Sequence, residues 1–391
     1  MRKKNVIKLV LNDFNHESRD EREISALLER GHNVTLLITG KINSIEKKTS
    51  SYEVIRIKKE NLKEKKNKLI RYYHIFLLLY NFIRKIIRLK PDAISCHDLL
   101  ALFVGWTATR FMISKPKIIY DSHEFEIGRN TIQARSSIKN FVIRKSEKFL
   151  IGQSAFTIVV NESISNALVE EYSLKKKPIV VRNVGPLWVK DDKEQLLLKG
   201  KLKKTYDINN SSFILMYHGA ITQGRGIETI IKASGKIKDA TLVILGFGSE
   251  DYIKDLSVLA EENNTDLRVI PAVKFSDLYS YVAIADLGLI TIPNVSASYY
   301  YMLPNKLFEN IQAEVPILAS NFPEIKKVVS EYKVGIVCNP EVEEEIVSSI
   351  LKFKTNPKYY SEFKKNVIEA KKQLNWEQEK KKLVNAYECI L

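Results

Sequence analysis

The 391-residue chain is short of the features that mark several common protein classes. It has three cysteines, Cys96, Cys338 and Cys389, far apart and without Cys-x-x-Cys spacing. That excludes a disulfide framework or a zinc site as an organising device and makes a reducing cytosol the expected compartment. No apolar run reaches the roughly 18 residues of a spanning helix. Met1-Arg2-Lys3-Lys4, leading into a short strand-like run, is not a secretory leader pattern. No Gly-x-Gly-x-x-Gly follows the first strand, which argues against a dinucleotide dehydrogenase, and the absence of a Walker-type Gly-Lys-Ser/Thr loop argues against an ATPase. Asp-x-Asp is missing too, so a metal-bridged diphosphate site has no evident ligands and no metal-binding residues are assigned.

The second half lacks net charge. Residues 186–391 hold 27 Lys+Arg against 27 Asp+Glu, whereas residues 1–185 hold 35 against 19, so the whole excess of +16 lies in the first half. Such a half attracts polyanions: nucleic acid, an anionic membrane or a phosphorylated substrate.

What is present is enough apolar material, 45% of residues, for two cores. Short β-branched runs alternate with helical patterns. In the first half strands are predicted at Val6–Leu11, Asn33–Ile38, Tyr52–Ile57, Ala93–Cys96, Lys117–Tyr120, Phe156–Val160 and Pro178–Arg182. After a polar stretch the alternation restarts at Phe213–Tyr217 and continues through Thr241–Leu245, Leu267–Ile270, Leu287–Ile290, Pro316–Ala319 and Val334–Val337. The last helices are expected over 341–353 and 357–390. This spacing implies parallel sheets covered on both faces. The expected architecture is α/β, with two Rossmann-like domains facing a cleft: 1–185, a linker at 186–211, 212–372, and a C-terminal helix at 373–391 packing back towards the first domain.

Four constellations carry chemistry. In Tyr301-Met302-Leu303-Pro304-Asn305-Lys306-Leu307-Phe308-Glu309, Pro304 suits the first turn of a helix. A helix N-terminus following a parallel strand favours a phosphate. Glu309, about one and a half turns in, can accept two hydrogen bonds from a diol. The competing reading is a capped helix with a solvated Glu309. The second is Tyr217-His218-Gly219 through Gly224-Arg225-Gly226, a strand entering a glycine-punctuated loop, with Gly246-Phe247-Gly248 repeating the theme. Arg225 can fork onto a diphosphate, although such glycines also serve simply to reverse a chain. The third comprises His97 in Cys96-His97-Asp98 and His123 in Tyr120-Asp121-Ser122-His123-Glu124, both at strand exits. They line one crevice or are ordinary core and surface residues. The fourth, Lys63–Lys90, carries nine basic residues against Glu64, with an apolar, aromatic centre at Leu69–Ile83. It suits a helix at a membrane interface, or a buried crossover helix with solvated ends.

Together these segments resemble the retaining glycosyltransferases of family 4, which have the GT-B fold, over nearly the whole length. Asn12-Asp13, His16-Glu17-Ser18-Arg19 and Gly31-His32-Asn33-Val34-Thr35 resemble the family's opening elements, and 120–124 its active-site histidine segment. Gly219–Gly226 resembles the first donor-domain loop, while Pro304–Glu309 followed by Val315–Ser320 is the most specific match. Trp376-Glu377 resembles a recurring C-terminal helix. Two positions depart: Tyr301 stands where the family often has Glu, and Ala220 where it often has Arg.

The resemblance implies transfer of a sugar from a nucleotide-diphosphate sugar, with UDP ahead of GDP, to a hydroxyl acceptor with retention. Donor binding falls to Gly219, Arg225, Gly246, Tyr301, Leu303, Pro304, Asn305, Lys306 and Glu309 in the C-terminal domain, and catalysis to His123 and Arg225. The basic N-terminal domain, with His16, His97, Asp98 and Glu124, takes a lipid-linked or saccharide acceptor. No further cofactor is implied. The basic half and the 63–90 stretch place the protein at an anionic, cytoplasmic membrane face, as in surface polysaccharide assembly, and no nucleic-acid motif is present. Two rivals share parts of this pattern: a two-domain sugar-nucleotide epimerase and a non-enzymatic polyanion-binding protein.

Overall fold

The computed structural model describes residues 3–13, 18–42, 44–48, 52–60, 67–122, 126 and 137–391. The chain forms two compact units, Met1–Arg182 with Glu379–Leu391, and Asn183–Gln378.

The first unit runs β1 (Asn5–Asp13), α1 (Ser18–Glu29), β2 (Asn33–Gly40), β3 (Ser44–Lys48), β4 (Tyr52–Lys58), α2 (Lys68–Leu89), β5 (Ala93–His97), α3 (Asp98–Arg110), β6 (Lys117–Ser122), α4 (Ser137–Gly152), β7 (Phe156–Val159), α5 (Glu162–Tyr172) and β8 (Ile179–Val180). Its sheet has the order β3-β4-β2-β1-β5-β6-β7-β8. Every pairing is parallel except β3 with β4. Runs such as Leu36-Leu37-Ile38 are wholly buried, as a sheet covered on both faces requires. The edge strand β3 is not among the expected strands. Its sequence, Ser-Ile-Glu-Lys-Lys, carries one apolar residue, which suits an edge and defeats a hydrophobic pattern.

The second unit holds α6 (Asp192–Thr205), β9 (Phe213–Ile221), α7 (Ile227–Gly235), β10 (Ala240–Gly248), α8 (Glu250–Glu262), β11 (Leu267–Pro271), α9 (Phe275–Val282), β12 (Leu287–Ile290), α10 (Ala297–Tyr300), α11 (Asn305–Gln312), β13 (Ile317–Ser320), α12 (Pro323–Tyr332), β14 (Gly335–Cys338), α13 (Glu343–Thr355) and α14 (Pro357–Gln373). Its sheet, β11-β10-β9-β12-β13-β14, is parallel throughout. The order reverses between β9 and β12, and in the first sheet between β1 and β5. Ligands of open α/β sheets bind at these switch points, beyond the carboxyl ends of the strands.

The segment 186–211, expected as a linker, carries α6. Asp191 caps the helix by accepting from the Lys193 and Glu194 amides, and Leu198, Leu202 and Ile208 pack into the core beside β9 and α9. The closing helical run breaks where Asn375 Nδ2 donates to the Lys371 and Lys372 carbonyls. The final helix, α15 (Trp376–Glu388), begins in the second unit and belongs to the first from Glu379 onwards. There its Tyr387 is buried edge-on against Phe156, and Lys380 pairs with Glu29 at 2.8 Å. No helix of the described residues is long and apolar enough to cross a membrane.

Candidate active site

In the second unit, β9, β10 and the segment following β12 converge at the switch point. Gly219, at φ +114°, takes a conformation that favours glycine, and a Cβ there would stand 2.7 Å from Lys306 Cε. A Cβ on Gly246 would collide with the Gly219 carbonyl. Both glycines are thus demanded by close approach at the two strand ends.

Lys306 is in the first turn of α11. Pro304 is the N-cap, one position ahead of the first turn expected for it, and no described side chain caps the helix. The Lys306 ammonium is buried, lies 3.6 Å from the centroid of the Tyr217 ring, and has no hydrogen-bond partner among the described residues. Burial, reinforced by the positive Arg225 and opposed by Glu309, lowers its pKa to about 7. A buried cation without a counter-ion is costly, so this position calls for an anion. Arg225, at the end of the β9–α7 loop, lies 5.4 Å over the Tyr299 ring.

Glu309, a turn further along α11, pairs its Oε2 with His218 Nε2 at 2.8 Å, leaving Oε1 without a described partner. Sequence reasoning missed His218. The available signal was its place as the last residue before Gly219, on a strand already expected to reach the site. Leu303 buries its side chain with Ile290, Leu307 and Phe308, which leaves only its backbone to face a ligand. Asn305 is exposed at the helix start, and Tyr301 packs its ring against Tyr300.

In the first unit, His97 ends β5 and Asp98 opens α3 at φ +70°. A left-handed non-glycine residue costs about 1 kcal/mol or more and marks a spot that its surroundings over-determine. The two residues share a cavity of about 440 Å³, walled by Leu11, Leu100, Phe103 and Val142. That volume is in the range of small-molecule sites. Burial alone would pull the His97 pKa down. The hydrogen bond and charge of Asp20, with Asp121 behind it, outweigh burial and hold the imidazole at about 9. Behind this pair is a buried ion network. Lys8 Nζ lies 2.6 Å from Glu23, 2.9 Å from Asp121 and 3.1 Å from Asp20, while Arg19 donates to Asp121 and to the Val181 carbonyl and forms an ion pair with Glu23. Burial opposes the Lys8 charge, yet the three carboxylates raise its pKa well above the ordinary value. Asp20, His97 and Asp121 could group around a cation, and the Lys8 ammonium already touches both carboxylates. His16, His123 and Glu124 lie outside the described residues.

Comparison with known proteins bears on both units. Residues 22–184 match glycosyltransferase family 4, and residues 199–370 match the glycosyl transferases group 1. No curated protein matches the sequence. Sucrose-phosphate synthase from Thermosynechococcus elongatus has a similar structure, with a TM-score of 0.79 at 15% identity over 99% of both chains. Anabaena HepE in complex with UDP scores 0.73 at 13% identity, over 99% of this chain and 100% of that one. WaaG, a glycosyltransferase involved in lipopolysaccharide biosynthesis, scores 0.67 at 13% identity, over 97% and 98%. At such identities the structural likeness is one of fold, while the two sequence matches, one in each unit, carry the membership. The chain belongs to the family 4-type glycosyltransferases and has the GT-B fold.

Proposed function

We propose that the protein transfers a hexose from a nucleotide-diphosphate sugar to a hydroxyl acceptor with retention of configuration. The observation that carries this reading is the buried Lys306 ammonium against Gly219, without a hydrogen-bond partner among the described residues. A diphosphate there would complete a charge pair that the folded chain leaves open. Lys306, Arg225 and the α11 N-terminus then stabilise the charge that builds on the leaving group, and stabilisation of this kind is usually the main source of rate enhancement. They supply positive charge that a metal ion would otherwise bring. Glu309, oriented by His218, holds the ribose diol through its remaining oxygen. The C1–phosphate bond breaks, the acceptor oxygen bonds C1 on the same face, and the acceptor proton passes to the departing phosphate. The resemblance to family 4 assigns His123 a role in turnover at the sugar. UDP is favoured as the nucleotide because HepE, of like fold, is seen with UDP and with UDP-glucose.

The acceptor belongs to the basic first unit, beside His97 and Asp98, where the apolar cavity suits a lipid-linked or saccharide acceptor at the cytoplasmic membrane face. The likeness in fold to WaaG supports a role in glycolipid or surface polysaccharide assembly.

Glu309→Ala removes the diol acceptor and strands the buried His218. It is expected to weaken UDP binding by roughly ten- to a hundredfold, whereas Glu309→Gln, which can still pair with His218, loses less. His123→Ala is expected to leave UDP affinity unchanged and lower turnover. Calorimetry and a sugar-release assay measure both. Unchanged UDP affinity in Glu309→Ala, or full turnover in His123→Ala, removes the assigned roles.

A further inference from the structure

The two cations assigned to the diphosphate both stand on tyrosine rings. Lys306 Nζ lies 3.6 Å from the centroid of the Tyr217 ring, and the Arg225 guanidinium lies 5.4 Å from that of Tyr299. Neither cation pairs with a carboxylate among the described residues. The carboxylates whose charge reaches this cluster are Glu309 and Glu228. Each already accepts from another side chain, Glu309 from His218 and Glu228 from the Tyr252 hydroxyl. The two kinds of partner differ in what they leave behind. A carboxylate neutralises a cation and repels an incoming diphosphate. The face of an aromatic ring attracts a cation through its quadrupole and carries no net charge. A ring therefore keeps the cation in place with its charge still available.

The local structure fixes both rings. Tyr217 is buried in β9, and its hydroxyl donates to the Ala220 carbonyl at 2.6 Å. One side chain thus carries the ammonium and pins the bend at Gly219, against which the Lys306 stem is packed. Burial pushes the Tyr217 phenol pKa up, so the lysine meets a neutral ring and not a phenolate. Tyr299 sits in α10, where its amide donates to the Ser296 hydroxyl that caps the helix. Arg225 stands between Gly224 and Gly226, at φ +75° and +76°, and glycines on both sides do little to hold its guanidinium. We propose that Tyr217 and Tyr299 are positioning residues for donor binding, holding Lys306 and Arg225 on their ring faces so that both cations meet the diphosphate in place. This rests on the donor reading. Without its ring, the Lys306 ammonium of the empty protein loses its proton or leaves the site, and the cost of restoring it is subtracted from binding.

Calorimetric titration of the full-length protein with UDP tests this, with thermal melts to show that each variant folds. A desolvated cation–π contact is worth up to about thirtyfold and a half-exposed one about fivefold, so Tyr217→Leu and Tyr299→Leu should weaken UDP binding by about those factors. Tyr299→Phe, which keeps the ring, should stay close to wild type. Phenylalanine bearing zero to three ring fluorines, placed at position 217 or 299, withdraws charge from the ring face at nearly constant shape. UDP affinity should fall stepwise with fluorine number, which a packing role would not produce. The empty protein gives a second readout that needs no nucleotide. With the lysine ε carbons labelled with 13C, the titration midpoint of Lys306 should fall along the position-217 series, while Arg225 and Glu309, the charged groups acting on it, stay in place. A flat affinity series, a flat Lys306 midpoint, or leucine variants that match wild type would overturn the proposal. Wild type that binds UDP beside a flat series refutes the positioning role alone, whereas wild type that binds no nucleoside diphosphate refutes the donor reading and this proposal with it.

Discussion

Lys306→Met is expected to weaken nucleoside diphosphate binding by about a hundredfold or more while making the empty protein more stable. The two effects have one cause. The Lys306 ammonium is buried against the Tyr217 ring with no described hydrogen-bond partner, so the folded protein bears most of its desolvation until an anion arrives. With a folded pKa of about 7 against 10.5 in the open chain, the penalty is on the order of 4 kcal/mol at neutral pH. Methionine fills similar space without charge. The folded pKa is the lower one, so the penalty is full below pH 7 and fades as pH rises from about 7 to 10.5. The stability gap between variant and wild type should close over that window. Binding should show the complementary sign. At pH 8 the free lysine is mostly neutral and a diphosphate is fully ionised, so binding must take up a proton. Calorimetry in buffers of different ionisation enthalpy should find an uptake approaching one proton in wild type and none in the variant. Equal affinity with no proton uptake would remove Lys306 from the site.

Lys8→Met should do the opposite to the first unit and destabilise it severely. The Lys8 ammonium lies within 3.1 Å of Asp20, Glu23 and Asp121, all buried. Its removal leaves three carboxylates facing mainly Arg19 and His97, and breaking a buried network in this way typically costs about 3–5 kcal/mol. The stranded carboxylates would have folded pKa values raised above their unfolded ones. Their stabilising contribution then survives at acid pH and is lost as pH rises, so the variant's deficit should shrink on acidification. Denaturant titration at several pH values measures this. Amide exchange should locate the loss in β1, β5 and β6 rather than in the separate core of the second unit. A deficit that does not vary with pH would show that the carboxylates find other partners.

The parts of the fold legible in the sequence were those written in apolar runs. The six strands of the second sheet are near-continuous Val/Ile/Leu segments, and their periods point directly to a covered parallel sheet. Elements with polar composition were not legible: β3 has one apolar residue, and α6 sits in a lysine-rich stretch whose few leucines mark its buried side. In the site, glycine and proline punctuation led to Gly219, Gly246 and the start of α11. Pairings across the fold could not be read the same way. Nothing local distinguishes His218 as the partner of Glu309, which is 91 positions away. A lysine in a helix reads as a solvated charge until the fold closes over it, which is why the sequence marks Lys306 only as part of its motif. Lys8 is hidden for the same reason: one charge in a β-branched strand signals an exposed alternate position, whereas here both sheet faces are covered. His97 was expected at a strand exit and stands there, but its Asp20 partner comes from a helix 77 positions earlier.

Whether the second unit holds a nucleotide-diphosphate sugar donor is tested most directly by calorimetric titration of the purified protein with UDP, GDP, CMP and NAD. A nucleoside diphosphate should bind, UDP most tightly, at one site per chain, while CMP and NAD should not. Binding by none of the four, or by NAD alone, would refute the donor site.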